Sequence, residues 1–363
     1  MTDMKSNILP ESEIYDEFGE IKPGWQPVLD DRLWTCSDPN SEHHLEYIIA
    51  SLLKEYLLSD DDGTAAAFAR RFDDLYDTVY EPKYNGYGGK KKGWTGYLVA
   101  FYDTVCETAV QIRYDDPKQD KLVELLVELG KLPPRAVKIF QSKFEWVDTE
   151  VWSHHLLLPE QLWVLDPGEL YRDSFGDFTT PENLLSLERE SADYVNFHAF
   201  NARCMAAGLD ARSKGRFSAE GHRISVGLDP GYPNYEAPWI SCQVLVAAQY
   251  IVLAGHVIAA ECVRKQLPPD RYCWKGWENG NGPSVWKHWA TKLGEIADTL
   301  RRGEDPGFRV LEGNRGTLKD MVIKARDKMV ALEPELVAQS DSDPVTEAKT
   351  ETQAQLAGEA EGY

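Results

Sequence analysis

The sequence predicts an all-α fold, namely a single compact multi-helix bundle with a flexible N-terminal arm and a disordered acidic C-terminal tail. Apolar residues recur at helical spacing from about position 45 to about position 332. Runs that alternate apolar and polar residues, as half-buried strands do, extend over a few positions at most. We therefore expect an arm over residues 1–40, one helical domain over 41–335 and a disordered tail over 336–363.

Four helices are predicted in the first half of the domain. The first lies within 45–58, and the polar segment SDDDGT ends it and supplies Thr64 as a cap for the second. A glycine- and lysine-rich stretch at 84–93 is typical of a loop, and a third apolar stripe then runs from Trp94 to Ile112. The fourth helix runs from the N-cap candidate Asp116 to Gly130, before two prolines.

The second half begins less regularly, because residues 140–193 indicate short helices only. The segment YVNFHAFNARCMAAG at 194–208 predicts a helix that mixes polar and large apolar side chains. A loop rich in glycine and proline follows at 209–236. Two last helices, which begin near Ser284 and Thr317, complete the domain.

An uncharged stretch from Ala237 to Ala260 is nearly long enough to span a bilayer. However, it contains Gln243, Gln249 and His256, which are unfavourable in lipid. We therefore predict a buried central helix and no membrane partner.

Composition narrows the possible partners and the compartment. The net charge of −21 disfavours nucleic acids and anionic membranes, whose binding depends on clustered Lys and Arg. None of the six cysteines has the C-x-x-C spacing, which indicates separate thiols in a reducing compartment. The acidic N-terminus has no apolar run of signal-peptide length, so we expect a cytoplasmic protein. Composition does not predict the oligomeric state.

Several segments resemble, in order, those of a fungal family of all-helical proteins of unknown function. YVNFHAFNARCMAAG is similar to that family's helix with an aromatic residue, an Asn and an [NH]-A-F-x-A-R run. DDPKQDKLVELLVELGKLPP precedes it, and LVAAQYIVLAGHVI and WKGWENGNGPSVWKHWATKLGEIADTL follow. The resemblance covers roughly residues 90–335 and implies a helical fold and a fungal origin. It brings no reaction, cofactor or catalytic residue.

Asn196, Phe200 and Arg203 are candidate ligand-binding residues. Asn196 and Arg203 are seven positions apart and share one helix face, and Phe200 lies on an adjoining face. They either anchor a ligand in an apolar pocket or hold neighbouring loops by hydrogen bonds to backbone carbonyls.

His198 and His256 are candidate catalytic residues. A buried His is usually a hydrogen-bonded core group, but it can act as an acid or base where its helix lines a cavity. The sequence contains no H-x-x-x-H, H-E-x-x-H or G-x-S-x-G motif. It therefore supports neither a zinc site nor a hydrolase nucleophile elbow.

Two acidic motifs suggest a magnesium site. In FDDLYD, Asp73 and Asp77 are four residues apart and can hold Mg²⁺ against a diphosphate, as in helical prenyl-diphosphate enzymes. ENLLSLERE resembles the second metal motif of class I terpene cyclases. Ser186 and Glu190 have the right spacing, whereas Glu182 stands in place of an Asn. The alternative is a solvated acidic helix face.

Three functional hypotheses follow. The chain binds or acts on a small apolar molecule, and an enzyme of secondary-metabolite biosynthesis is the version to test first. Alternatively, it is a non-catalytic interaction module that uses an aromatic groove or the acidic tail. The third hypothesis is Mg²⁺-dependent prenyl-diphosphate chemistry, and a cofactor is predicted under this hypothesis alone.

Overall fold

The all-α prediction is confirmed, with one short hairpin added. A computed structural model describes residues 8–16, 20–39, 41, 43–59, 64–80, 93–140, 146–152, 155, 157–158, 162, 181–209, 228, 237–260, 282–304, 306 and 315–338. The α-helices within these residues are α1 (Glu11–Ile14), α2 (Trp25–Thr35), α3 (His44–Leu58), α4 (Thr64–Leu75), α5 (Gly93–Val110), α6 (Lys118–Gly130), α7 (Pro181–Ala206), α8 (Ala237–Ile258), α9 (Gly282–Arg301), α10 (Arg315–Leu332) and α11 (Pro334–Ala338). A π-helical turn, Tyr76–Tyr80, continues α4.

The expected flexible arm, residues 1–40, contains α1 and α2, and this part of the prediction is corrected. Leu29 and Leu33 of α2 are buried in the core, where α2 packs on α3. The prolines of this region suggested an irregular chain. Pro27, however, lies in the first turn of α2, where a backbone N–H has no acceptor within the helix. A proline at that position does not interrupt a helix.

A two-stranded antiparallel hairpin occupies part of the region for which short helices were expected. Its strands are β1 (Ala136–Phe140) and β2 (Trp146–Glu150), and Ala136 pairs with Glu150. The strands are five residues long, too short for a clear alternating pattern. The next described helix, α7, begins at Pro181, thirteen residues before the segment that predicted it.

The buried apolar residues form two clusters, and α7 contributes to both. The first cluster is built mainly from α2 to α6 and includes Phe197, Phe200 and Cys204 of α7. The second is built mainly from α8, α9 and α10 and includes Tyr194 and Met205 of α7. A helix that is buried on opposite sides is apolar around most of its circumference. The large apolar residues of the segment at 194–208 therefore lie on more than one face of α7.

Helix α8 lies inside the second cluster. Its segment Ile240–Ile258 is long and apolar enough to cross a membrane, but 78% of that segment is buried inside the protein. Gly255 allows a close approach to α10, because a Cβ there would lie 3.2 Å from Leu332. The burial is that of a core helix, in agreement with the sequence prediction.

Some predictions fall on residues outside those described. They concern the loop at 84–93 except Gly93, the cysteines Cys262 and Cys273, and the tail from residue 339 onward. The other four cysteines are buried free thiols. Residues 336–338, assigned to the tail from the sequence, belong to α11, and Leu336 and Val337 pack against the second cluster.

Candidate functional site

Asn196 links α7 by hydrogen bonds to the junction between α5 and α6, residues 110–117. Its Oδ1 accepts a hydrogen bond from the Tyr114 backbone N–H at 2.8 Å, and its Nδ2 donates to the Val110 carbonyl at 2.9 Å. Both ends of the buried carboxamide are therefore used within the protein. These contacts match the structural interpretation of this residue.

Arg203 and Phe200 also make contacts within the protein. The Arg203 Nε donates to the Asp120 carboxylate of α6 at 2.7 Å, and its Nη1 donates to the Ala199 carbonyl at 3.3 Å. Phe200 is fully buried in the first cluster. Asn196 and Arg203 therefore bond to the end of α5 and to α6, and Phe200 lies in the first cluster.

Gln119 reinforces the same junction from α6. Its Nε2 lies 2.9 Å from the Ala109 carbonyl, 2.8 Å from the Ile112 carbonyl and 3.3 Å from the Asn196 carbonyl. The side chain is fully buried. One carboxamide group thus joins the end of α5, α6 and α7.

We expect Gln119→Met to lower the free energy of unfolding by about 1–3 kcal/mol, because three buried carbonyls lose their donor, whereas the gain from removing the unmatched Gln119 Oε1 concerns one atom. Urea unfolding of the full chain measures this loss. Thr299→Ala, which removes an exposed side-chain bond to the Glu295 carbonyl, is the control and should change stability by less than about 0.5 kcal/mol. Equal losses in the two variants would contradict the role of Gln119.

His198 faces the second cluster and takes part in a buried polar network. The Tyr250 hydroxyl of α8 lies 3.1 Å from His198 Nδ1 and accepts a hydrogen bond from Asn201 Nδ2 at 2.8 Å. His198 and Tyr250 are fully buried, and Tyr194 packs edge-on against the imidazole. The network places one titratable side chain among apolar ones. His198 therefore lies where an acid–base group could reach a molecule held in this cluster.

His256, the other candidate catalytic residue, is exposed, whereas the sequence predicts a buried group. It lies in the last turn of α8 on the exposed side of the helix. The uncharged residues around His256 suggest burial. The last turn of a core helix, however, can extend beyond the helices that cover the rest of it.

Gln249 and Trp286 of the second cluster have hydrogen-bonding atoms that the described protein leaves unmatched. The Gln249 side chain is 1% exposed, and neither its Nε2 nor its Oε1 has a hydrogen-bond partner among the described residues. The Trp286 indole N–H is likewise unmatched within the same part of the chain, and Trp286 is fully buried. Buried polar groups of native proteins are nearly always hydrogen-bonded, so these two require an explanation.

Asp73 and Asp77, the candidate magnesium ligands, pair with an arginine. Arg135 lies 3.5 Å from an Asp73 oxygen and 3.0 Å from an Asp77 oxygen. Asp73 also accepts a hydrogen bond from the Trp152 indole at 2.8 Å. A cation that already neutralises both carboxylates weakens their attraction for Mg²⁺. The geometry therefore favours a structural role for this motif.

Trp152 belongs to the first cluster and has an uncommon backbone conformation. Its φ of 65° lies in the left-handed region, which bulky residues rarely adopt. The indole packs edge-on against the rings of Trp94, Tyr97 and Phe101. The hydrogen bond from this buried indole to Asp73 gives that carboxylate a structural role that does not require a metal ion.

Glu190, the third candidate magnesium ligand, lies on α7 next to Asp193. The Asp193 carboxylate accepts a hydrogen bond from Gln111 Nε2 at 3.0 Å. Burial raises the pKa of Asp193 to about 7, the bond from Gln111 and the charge of Arg189 oppose this rise, and the charge of Glu190 adds to it. The side chains of Glu182 and Ser186 lie outside the described part. Among the residues described, no group of three or more His, Cys, Asp or Glu side chains is arranged to hold a metal ion.

The raised pKa of Asp193 predicts a loss of stability as the pH rises. An unfolded Asp titrates near pH 4, so between about pH 4 and about pH 7 the folded chain binds a proton that the unfolded chain does not. The free energy of unfolding therefore falls, by at most about 1.4 kcal/mol per pH unit. Asp193→Asn keeps the acceptor for Gln111, and it should flatten this decline.

Urea unfolding of both chains between about pH 5 and about pH 8 checks this prediction. Asp327→Asn, at an exposed position of α10, is the control, and its profile should run parallel to that of the wild type. A parallel profile for Asp193→Asn would show that burial does not perturb this carboxyl.

The comparison with protein families matches the part of the chain that contains the second-cluster network. A family described as protein of unknown function (DUF3632) matches residues 102–293, just over half of the 363 residues. The chain belongs to this family. The match confirms the resemblance to a family of unknown function. Neither a curated protein nor a solved structure matches the chain at a significant level.

The family's segment runs from α5 into α9 and therefore includes α7 and α8. His198, Gln249 and Trp286 lie within it, whereas Asp73 and Asp77 precede it. The matched segment thus contains the polar groups of the second cluster, whereas α10, which also builds that cluster, follows it. Its description gives no activity.

Sequence reasoning missed Tyr250, Gln249 and Trp286 as members of a site. Tyr250 and Gln249 were visible as polar groups in an uncharged helix, and Trp286 as a member of an apolar stripe. A buried Tyr or Trp usually has a hydrogen-bond partner for its polar atom. Tyr250 and Trp286 therefore indicated that polar partners lie in the core. Which partner it is depends on how the helices pack.

Proposed function

We propose that this protein binds a small, largely apolar molecule in the second cluster, next to Gln249. The observation that supports this proposal is the buried Gln249 carboxamide, whose donor and acceptor both lack partners among the described residues. Leaving one buried polar group unmatched costs about 1–3 kcal/mol. A bound molecule that hydrogen-bonds to Gln249 would remove that cost. Ordered water is the competing explanation.

The surroundings of Gln249 support an apolar ligand. The buried members of the second cluster are apolar and aromatic, and they include Tyr250, Trp286 and Trp289. Ligand sites typically combine such walls with a few polar groups that fix orientation. The Trp286 indole N–H and the His198–Tyr250–Asn201 network are further polar groups of the same cluster that could take this part. If the bound molecule reacts, His198 is our candidate for the acid–base group.

The proposal includes a cellular role in small-molecule biosynthesis, in the cytoplasm of a fungus. The separate thiols, the aromatic cluster and the resemblance noted from the sequence support that role. Deletion of the gene, followed by comparison of metabolite profiles, tests it. We expect at least one secondary metabolite to disappear or to accumulate as a precursor, and an unchanged profile would contradict this part of the proposal.

Binding is tested with the purified full chain and organic extracts of the source cells. Native mass spectrometry should show a discrete added mass, and the thermal midpoint should rise with the same fraction. Gln249→Met should lose both effects. Gln243→Met is the matched control, because Gln243 is buried on the same helix but lies about 120° around it from Gln249. If no fraction changes the mass or the midpoint of the wild type, the proposal is wrong.

A further inference from the structure

The Gln249 carboxamide also indicates the chemical class of the ligand. We infer that the bound molecule is an elongated apolar compound that ends in a neutral amide with a free N–H, either a primary carboxamide or a lactam. This inference rests on the binding function proposed above. Three observations support it. They are the unmatched donor and acceptor of Gln249, the position of the buried Lys and Asp side chains away from it, and the change from buried to exposed along its face of α8.

A Gln side chain offers an acceptor and a donor side by side. Its carbonyl oxygen accepts hydrogen bonds, and its amide nitrogen donates them. Both are unmatched among the described residues, so a group that satisfies both must present one donor and one acceptor at a matching separation. A primary carboxamide or a lactam does this by forming a pair of parallel N–H···O bonds. An ester or a tertiary amide has no donor and leaves the Gln249 carbonyl unmatched.

A charged group is disfavoured at this position. Lys54 and Asp30 are the buried charged side chains of the described chain, and they belong to α3 and α2, whose apolar residues lie in the first cluster. The described polar side chains buried on α7 and α8 beside the second cluster are uncharged, and the imidazole of His198 is the titratable one among them. An ionised carboxylate would therefore enter an apolar region in which neither a Lys nor an Arg of the described chain is buried, and it would bind only if the carboxylate or His198 also takes up a proton, which is unfavourable near pH 7.5. An amide is therefore favoured over a fatty acid of the same length.

The helix face that carries Gln249 changes from buried to exposed toward the end of α8, and this indicates the shape of the ligand. Leu253 and His256 lie four and seven residues further along α8 and therefore on the same face of the helix. Leu253 is half-buried against the second cluster, and His256 is exposed. Two helical turns, or about 10 Å, separate Gln249 from His256. An apolar body about that long would lie along Leu253 with its amide at Gln249.

Four compounds of equal length test the inference on the full-length protein. They are octanamide, N,N-dimethyloctanamide, methyl octanoate and octanoate, measured near pH 7.5 by isothermal titration calorimetry and ligand-detected NMR. We expect octanamide to bind at least about tenfold more tightly than each of the others. In Gln249→Met this preference should fall to less than about twofold, whereas Gln243→Met should keep it. Circular dichroism and a thermal melt verify that both variants are folded.

Each other outcome overturns the inference. If the ester or the dimethylamide binds as tightly as octanamide, Gln249 does not recognise an amide. If octanoate binds best, a positive charge must face the site. If octanamide does not bind, or if its advantage persists in Gln249→Met, the ligand class or its position is wrong. The extract experiment is independent of these probes, so a ligand found there leaves the proposed function standing when this inference fails.

Discussion

Lys54→Met is expected to lower the free energy of unfolding by about 3–5 kcal/mol. The Lys54 ammonium lies 2.5 Å from the Asp30 carboxylate, and both side chains are buried between α2 and α3. Asp30 also accepts a hydrogen bond from the Leu9 backbone N–H at 3.3 Å. Methionine retains most of the volume of lysine but leaves the buried carboxylate without its cation. An uncompensated buried charge is among the most destabilising consequences of a single substitution.

Urea unfolding of the full chain measures this loss, and an exposed ion pair provides the control. Arg71 pairs with Glu55 at 2.7 Å on the surface, where both side chains are well exposed. Arg71→Met should cost less than about 1 kcal/mol. If Lys54→Met is no more destabilising than Arg71→Met, then Asp30 and Lys54 are not a buried pair. Residues 25–35 would in that case not be packed as described.

Phe200→Ala is expected to cost about 3–5 kcal/mol and to weaken both apolar clusters. Phe200 is fully buried in the first cluster, so its removal leaves a cavity there. However, α7 also carries Tyr194 and Met205 into the second cluster. A helix shared by two clusters transmits the loss from one to the other. The amides of α8, which lie outside the first cluster, should therefore exchange faster along with those of α3.

Hydrogen exchange with mass spectrometry resolves α3 and α8 as separate peptides and measures this coupling. Leu58→Ala, at an exposed position of α3, should leave both peptides nearly unchanged. Faster exchange in α3 with unchanged exchange in α8 would show that the two clusters unfold independently and that α7 does not join them.

Helices with an amphipathic stripe and clear ends could be predicted from the sequence. In α6, the helix ends at Gly130 as its spacing indicated. It begins one residue later than the predicted cap implied, after Pro117, although Asp116 does accept a hydrogen bond from the Lys118 backbone N–H at 2.8 Å. α2 was missed because a proline in a first helical turn has the same appearance in sequence as a proline in a loop. The hairpin was missed because two five-residue strands carry too little periodicity to be distinguished from short helices.

The candidate site was predictable only in part, for a different physical reason. The sequence identified α7 as a helix with unusual polar residues, and it offered the contacts that Asn196 makes as one of two interpretations. It did not reveal that His198 meets Tyr250, because these residues are 52 positions apart and share no local pattern. Nor did it reveal that Arg135 neutralises Asp73 and Asp77. Such pairings are decided by tertiary packing, which periodicity does not encode.

The unmatched state of Gln249 is the central claim, and the stability of the ligand-free chain tests it most directly. Refolding the full chain from urea removes any co-purified molecule before unfolding is measured. Methionine at Gln119 should cost about 1–3 kcal/mol, because the wild-type side chain donates to backbone carbonyls there. Methionine at Gln249 should leave stability unchanged or raise it by about 1–3 kcal/mol, because it removes a buried carboxamide that has no partner. A loss at Gln249 as large as the loss at Gln119 would show that Gln249 is hydrogen-bonded within the protein and would contradict the account.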